Sequence, residues 1–478
     1  MKTKHLLCLV LLSAVASCND KLIVENEIDN ENEEFQSPIT RAAGDAQFDV
    51  LGYGYDITGD YLNPMSVRNP VLDVERYYQE LPKRLITGTP IHGSDKMYFG
   101  ATAEDYVEEI TKDYKESASA SVGNNVFSGS ISGNQFLNSR DSYSSKYSFA
   151  SLDAIRTLKY LRINDEVESI SNYLTPEFLE DVDRLTPARL VERYGTHVLT
   201  DVSIGGRYRL LFRSVIEKTT NKTEKKEILK AGFGATIKKV GIKGEYEQSI
   251  DIQTEKAKEN QHKELFVMFY GGTGTCMQYD LEKGMPTTID IKGWESNVSL
   301  YNSNLTDINW KETYPLYYFI KDPQKRQQVK NAIENYVNAH KLNMIKVEPF
   351  YRYYSAKYVN HSYFREWKGE HFNTDDFQGT ACYLPAATEP DAVPLYRYYS
   401  SKYVNHSYVV GSKPKDYTTD VCQGVAGYIF KTQKPGTVPL YEYYSSKYVN
   451  HSYFTEWKGN SFNTDKFQKI VGYVYPAD

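Results

Sequence analysis

Cysteine is scarce in this 478-residue chain. It has five, at positions 8, 18, 276, 382 and 422. None forms a Cys-x-x-Cys pair, so neither a disulfide framework nor a structural metal site is expected. Basic blocks are missing as well. The formal net charge is −6, and without a clustered Lys/Arg face nucleic acid is not an expected partner. Beyond the N-terminus no apolar run reaches the ~18 residues that mark a membrane-spanning helix. The signatures of catalysis are absent too. There is no phosphate loop, no nucleophile elbow and no zincin helix. We therefore expect no enzyme activity, no cofactor and no metal.

The N-terminus reads as an export signal. Lys2 and Lys4 precede the apolar stretch from Leu6 to Val15, a charged start followed by a short hydrophobic core. It ends in Val15-Ala16-Ser17-Cys18, which resembles a bacterial lipobox. The resemblance implies a signal peptide over 1–17, a lipid on Cys18, and a protein anchored at the outer membrane or cell surface, or released from it. Residues 18–45 carry Glu25, Glu27, Asp29, Glu31, Glu33 and Glu34 with little to bury. They are expected to form an acidic, flexible tether.

The middle of the chain mixes periods. Thr102, Thr175-Pro176 and Thr186-Pro187 each open a helical pattern with a capping hydroxyl. The last of these helices leads into Tyr194-Gly195-Thr196-His197, and Gly205-Gly206 follow inside a strand pattern. Two segments flanking this run alternate in twos, as strands do. In the first, Ala118, Ala120 and Val122 share a face, and Phe127 and Ile131 follow after a slip. In the second, Ala231, Phe233, Ala235 and Ile237 share a face. Val240, Ile242, Tyr246, Ile250 and Ile252 then alternate with Lys243, Glu245, Glu247, Ser249 and Asp251.

Tyr194-Gly195-Thr196-His197 with Gly205-Gly206 resembles the signature of the membrane-attack-complex/perforin (MACPF) family. Leu51 to Gly59 and the run Tyr314 to Ile320 are similar to that family's opening and closing segments. The resemblance implies an α+β fold over 46–321, a bent antiparallel sheet flanked by helical clusters, with 322–345 as a helical linker. It further implies that the two alternating segments refold into membrane-crossing hairpins. Val122, Phe127, Ile131, Phe233, Ile237, Val240, Ile242, Tyr246 and Ile250 are the membrane-inserting candidates. Target membrane lipid and further copies of the chain, in a ring, are the implied partners. The glycine pair is expected at the bend, by positive φ or close packing. Two functions compete: a pore-forming protein toxic to competing cells, and a non-lytic surface lipoprotein that binds glycans or captures nutrients.

The last third repeats. Pro349-Phe350-Tyr351-Arg352-Tyr353-Tyr354-Ser355 returns as Pro394 to Ser400 and again as Pro439 to Ser445, 45 residues apart each time. Each copy continues Lys-Tyr-Val-Asn-His-Ser-Tyr. Three strand-rich copies over 346–478 suggest an all-β module with pseudo-threefold closure. A β-trefoil is the first expectation and a β-prism the alternative. Exposed aromatics stack on sugars and imidazoles bind hydroxyls. Tyr353, His361, Trp367, Tyr398, His406, Tyr443, His451 and Trp457 are therefore the ligand-binding candidates, for a cell-surface glycan or protein receptor.

Overall fold

The computed structural model describes residues 47–89, 94–115, 126–132, 145–219, 221–240, 254–273, 277–284, 289, 291–342, 344–415 and 417–477. The first domain is built on an antiparallel sheet of β1 (Ser94–Gly100), β2 (Tyr147–Ile163), β3 (Asp201–Val215) and β4 (Gln261–Tyr270), paired in that order. β2 and β3 run for 17 and 15 residues, well beyond an ordinary strand, and each changes partner part-way. β2 pairs with β1 up to Ile155 and with Leu85–Gly88 from Tyr160 onward. β3 pairs with β4 from Arg207 and with Asn304–Ile308 before that. The switch falls at a bulge. Thr157 pairs with Gly205 and Lys159 with Ile204, which leaves Leu158 as the extra residue. A bulge adds twist and bends its strand.

The two faces of the sheet are covered differently. Leu152, Leu210, Phe212, Leu265 and Val267 point to one side. The opposite side holds the larger core, with helices α1 (Ala103–Ile110), α2 (Pro176–Arg184) and α3 (Pro187–Tyr194) around it. Their N-caps are the expected ones. The hydroxyls of Thr102, Thr175 and Thr186 accept from the backbone N–H three residues on.

Several expectations need correction. Residues 231–239 are not a strand. They continue α4 (Lys222–Lys239), which Asn221 caps by accepting from the N–H groups of Thr223 and Glu224. Leu229, Phe233 and Ile237 recur every fourth residue, so one helical face meets the sheet. Phe127 and Ile131 are not in a strand either. Phe127 has φ 57° and precedes a short helix, Gly129–Ser132. Its ring packs on Tyr61, Tyr114 and Trp310. Val122, Ile242, Tyr246 and Ile250 lie outside the described residues. The expected linker helix, α5 (Pro323–Ala339), is part of the first domain, because Val329, Ile333 and Val337 are buried in its main core. The closing segment is only partly extended: Tyr314–Pro315 pairs, and Leu316–Phe319 forms a 3-10 turn.

The repeats are all β, as the sequence indicates. The first copy consists of β5 (Val347–Ser355), β6 (Asn360–Phe364) and β7 (Asp375–Pro385). The second has β8 (Ala392–Ser400), β9 (Asn405–Val410) and β10 (Asp420–Phe430). The third has β11 (Val438–Ser445), β12 (Asn450–Phe454) and β13 (Asp465–Val474). Within each copy the first strand lies between the other two. A trefoil barrel would ladder the last strand of one copy to the first of the next. Among the described residues β7 and β8 are not so paired. Among the described residues, strand pairing between copies falls at Phe430 with Tyr473 and at Tyr383 with Tyr475. Copies two and three thereby share one sheet and copy one forms its own, around a shared apolar core; the expected all-β module is present, without a trefoil's ladder between consecutive copies among the described residues.

Candidate functional site

The signature residues are structural staples. Tyr194 ends α3 and donates its hydroxyl to Asp181 Oδ2 at 2.8 Å. Gly195 has φ 74°, and a Cβ there would lie 2.6 Å from the Tyr55 carbonyl. Thr196 donates its backbone N–H and its hydroxyl to Tyr55 O, at 2.8 and 3.0 Å. Its Oγ1 also accepts from Ile57 N at 3.2 Å. His197 is fully buried. Its Nδ1 lies 3.0 Å from Thr196 Oγ1, and its ring meets Tyr114 and Trp310 edge-on. Together they fasten the opening strand Tyr53–Tyr55 and the closing residues Tyr314–Pro315 to His197–Val198.

The glycine pair sits at the bend. Its φ values are not positive, so close approach is the reason for glycine here. A Cβ on Gly205 would stand 2.0 Å from Arg156 O, and one on Gly206 2.8 Å from Trp294 and 2.7 Å from Val298. Trp294 lies on a short helix, Ile291–Asn297, and donates its indole N–H to Gly271 O at 2.7 Å. Sequence reasoning missed this partner. A lone tryptophan beside a glycine-rich strand end was the available signal.

Beneath the sheet lies a buried charge cluster that the sequence did not announce. Arg209, 1 % exposed, reaches Asp153 Oδ1 through Nε at 2.7 Å, Asp153 Oδ2 through a terminal nitrogen at 3.1 Å, and Asp60 Oδ1 at 2.9 Å. Arg207 donates to the carbonyls of Tyr61 and Leu62 and lies over the Tyr270 ring. Burial alone would raise the Asp153 carboxyl, but the Arg209 and Arg207 charges outweigh it and hold it below the usual range.

The two inserts leave the sheet at one edge. Gly100 pairs with Phe149, Tyr147 with Val215, and Val215 with Gln261. The first insert therefore bridges β1 to β2 and the second bridges β3 to β4, so each joins two neighbouring antiparallel strands. The first part of the second insert is folded as α4, and Phe233, Ile237 and Val240 are 0–2 % exposed. The Phe233 ring packs against Phe99 and Phe212. Lys222 and Lys226 tie α4 to Asp105 and Glu109 of α1 at 2.8 and 3.0 Å.

The repeat module touches both inserts at their roots. Val347 N donates to Ser145 Oγ at 3.0 Å, and Ser145 N donates to Ile345 O at 3.1 Å. Tyr351 Oη donates to Glu217 O. Glu370 accepts from Lys218 Nζ at 2.9 Å.

Within the module, many ligand-binding candidates prove to be core. Tyr353, Tyr398 and Tyr443 are buried. Tyr353 and Tyr443 donate to Gly369 O and Gly459 O and accept from Lys368 N and Lys458 N. Their rings are not available for stacking on a sugar. The axis is formed by Tyr363, Tyr408 and Tyr453, with ring centroids 5.3–5.6 Å apart. His361, His406 and His451 stand off that axis, half-buried beside Tyr354, Tyr399 and Tyr444. Trp367 packs on Tyr351 and Phe377 near Lys218, whereas its counterpart Trp457 is 49 % exposed. Cys382 is buried and Cys422 exposed, and both are free thiols.

The model of the MAC/Perforin domain family matches residues 42–346. The chain belongs to the MAC/Perforin family. Residues 349–472 match a second family, described as a domain of unknown function (DUF5648). None of the curated proteins matches the chain. Among solved structures, the MAC/Perforin fold recurs in a MAC/Perforin-domain protein from Bacteroides thetaiotaomicron. The TM-score is 0.51 at 16 % identity, covering 69 % of each chain. GNIP1Aa from Chromobacterium piscinae aligns over 91 % of this chain and 83 % of its own, with a TM-score of 0.48 at 14 % identity. The MAC/Perforin domain here is thus the bent sheet with its two inserts, a fold of the pore-forming type, and an all-β module follows it.

Proposed function

We propose that this protein is an exported pore-forming protein of the MAC/Perforin type, acting on membranes of competing bacterial cells. Copies assemble as a ring on the target membrane, and each extends its two inserts as β-hairpins. One observation carries this reading: both inserts join adjacent antiparallel strands that end at the same sheet edge. Straightening either insert continues an existing hairpin in register. Each insert has room for two spanning strands of about 9–11 residues and a turn. A closed barrel is the arrangement that leaves no strand edge in lipid.

The cost of release explains why α4 stays folded in water. Exposing Ile228, Leu229, Phe233, Ile237 and Val240 costs about 1.5–3 kcal/mol each. Burial of the same side chains in lipid, with ring closure, offsets it. Cys18 carries the lipid anchor on the exporting cell, and the repeats recognise the target surface. Trp457 still offers a ring face to a glycan.

The test is leakage of dye-loaded vesicles by the chain carrying Cys18→Ala, with electron microscopy of the vesicles. Rings and leakage are expected. Intact vesicles without rings, across lipid compositions and target-cell membranes, would overturn the pore reading in favour of a non-lytic surface lipoprotein.

A further inference from the structure

The turn between the first two strands of each repeat carries Lys-Tyr-Val-Asn. Val359, Val404 and Val449 hold φ values of 54°, 54° and 53°. A β-branched residue adopts that conformation only when its surroundings impose it. Here a ring of hydrogen bonds does so. Asn360 donates to Val404 O, Asn405 to Val449 O, and Asn450 to Val359 O. The three turns therefore meet around the pseudo-threefold axis. They lie at the Ser355 end of β5, and contact with the first domain begins at its Val347 end.

The outer atoms of this ring face solvent. Tyr358, Tyr403 and Tyr448 are 37, 39 and 36 % exposed. Lys357, Lys402 and Lys447 are exposed, each over its neighbouring tyrosine at 4.9–5.0 Å. Residues 356–360, 401–405 and 446–450 contain no acidic side chain, in a chain with a net charge of −6. The asparagine amides are spent on closing the ring. The nearest carboxylates, Asp375, Asp420 and Asp465, stand opposite Ser355, Ser400 and Ser445 at the foot of the turns; Asp375 and Asp465 accept from the hydroxyls of Ser362 and Ser452, and Asp376 lies 2.7 Å from His371 Nδ1. What the ring offers outward is three cations and three amphipathic rings.

We infer that this lysine–tyrosine ring is the surface by which the module sits on an anionic membrane. The ammonium groups meet lipid phosphates, and the tyrosines lie at the headgroup boundary, where such rings are enriched. The inference rests on the reading of the module as the target-recognising part. It adds the kind of surface and the residues that meet it.

The test uses the full chain with Cys18→Ala, so that no acyl group contributes. Sedimentation is compared with vesicles of phosphatidylcholine alone and of phosphatidylcholine with phosphatidylglycerol. Binding to the anionic vesicles, weakened by added salt, is expected. The variant with Lys357→Gln, Lys402→Gln and Lys447→Gln should lose about fivefold per lysine, about a hundredfold together. The variant with Tyr358→Ser, Tyr403→Ser and Tyr448→Ser should also bind more weakly, at unchanged charge. All six side chains are surface-exposed, and an unaltered melting temperature confirms folding. Equal binding to both vesicle types, or triple variants that bind like the parent, overturns the inference. So does parent binding to target-cell glycan with none to anionic vesicles. Leakage that survives both triple variants rejects the ring and leaves the pore reading standing. Ring-dependent binding without leakage does the reverse.

Discussion

Glu442 Oε1 lies 2.8 Å from His451 Nδ1 inside the third repeat. In the other two repeats arginine occupies the position of Glu442, as Arg352 and Arg397. The repeats share a backbone but not an electrostatic environment. Tyr453 shows the consequence. Tyr363 and Tyr408 donate their hydroxyls to carbonyls of neighbouring copies, Tyr453 O and Tyr363 O, whereas Tyr453 donates to Glu442 at 3.0 Å.

Acid should therefore destabilise the module. Burial, then the charges of Arg352 and Arg397, push His361 and His406 down from about 6.5 to about 4. A histidine with a lowered folded pKa binds its proton better when unfolded. Its stabilisation is complete above about pH 6.5 and is lost as pH falls toward about 4. Glu442 acts in the same direction. Burial would raise its carboxyl, but His451, Lys469 and Tyr453 hold it low, so its contribution is lost as pH falls through its folded pKa. Melting temperatures measured from about pH 7 to about pH 4 should fall, and His361→Gln with His406→Gln should flatten that slope. An equally steep slope in the double variant would refute the assignment.

Asp153→Ala should cost about 3–5 kcal/mol, because it leaves the Arg209 guanidinium buried without its main partner. Arg209→Met should cost at least as much, because it leaves both Asp153 and Asp60 buried without the guanidinium they share. Urea unfolding of the two variants decides the order.

The glycine pair should respond asymmetrically. Gly205→Ala places a Cβ against backbone, Arg156 O at 2.0 Å, so the bulge itself must move. Gly206→Ala meets the side chains of Val298 and Trp294, which can turn away. A loss of about 3 kcal/mol or more is expected for the first and about 1–3 for the second. Equal losses would mean that the bend does not depend on this contact.

Tethering the second insert should separate binding from leakage. Lys230 of α4 lies over the ring of Phe99 in β1, 5.3 Å from its centroid. Cysteines at both positions, joined by a short reducible thiol-specific linker, hold α4 to the sheet. Vesicle binding should persist while leakage stops, and reduction should restore it. Circular dichroism checks that the pair still folds. Leakage by the linked protein would remove α4 from the mechanism.

The MAC/Perforin architecture was legible because its constraints are local. Gly195 needs a positive φ, Thr102, Thr175 and Thr186 cap helices, and Gly205 admits a carbonyl where a side chain cannot fit. The 45-residue repeat announced a threefold module for the same reason: identical local sequences build identical strands. The inserts were harder. Residues 231–239 satisfy alternation and helix periodicity together, and the sheet face waiting beneath Phe233 selects the helix in the folded protein.

Tertiary structure alone decided the rest. The sequence determined the helix caps, the glycine signature, the repeat and the opposite charge at Arg352, Arg397 and Glu442. It did not determine that Tyr353 and Tyr443 are core while Tyr358 and Tyr448 face solvent, because all four are tyrosines in one repeat pattern. Nor did it determine that Trp367 docks near Lys218 while Trp457 stays free. A residue's own chemistry fixes which backbone angles and partners it tolerates. Which of two like residues is buried depends on how three copies pack about an axis and which of them meets the first domain, and that is set by contacts between segments far apart in the chain.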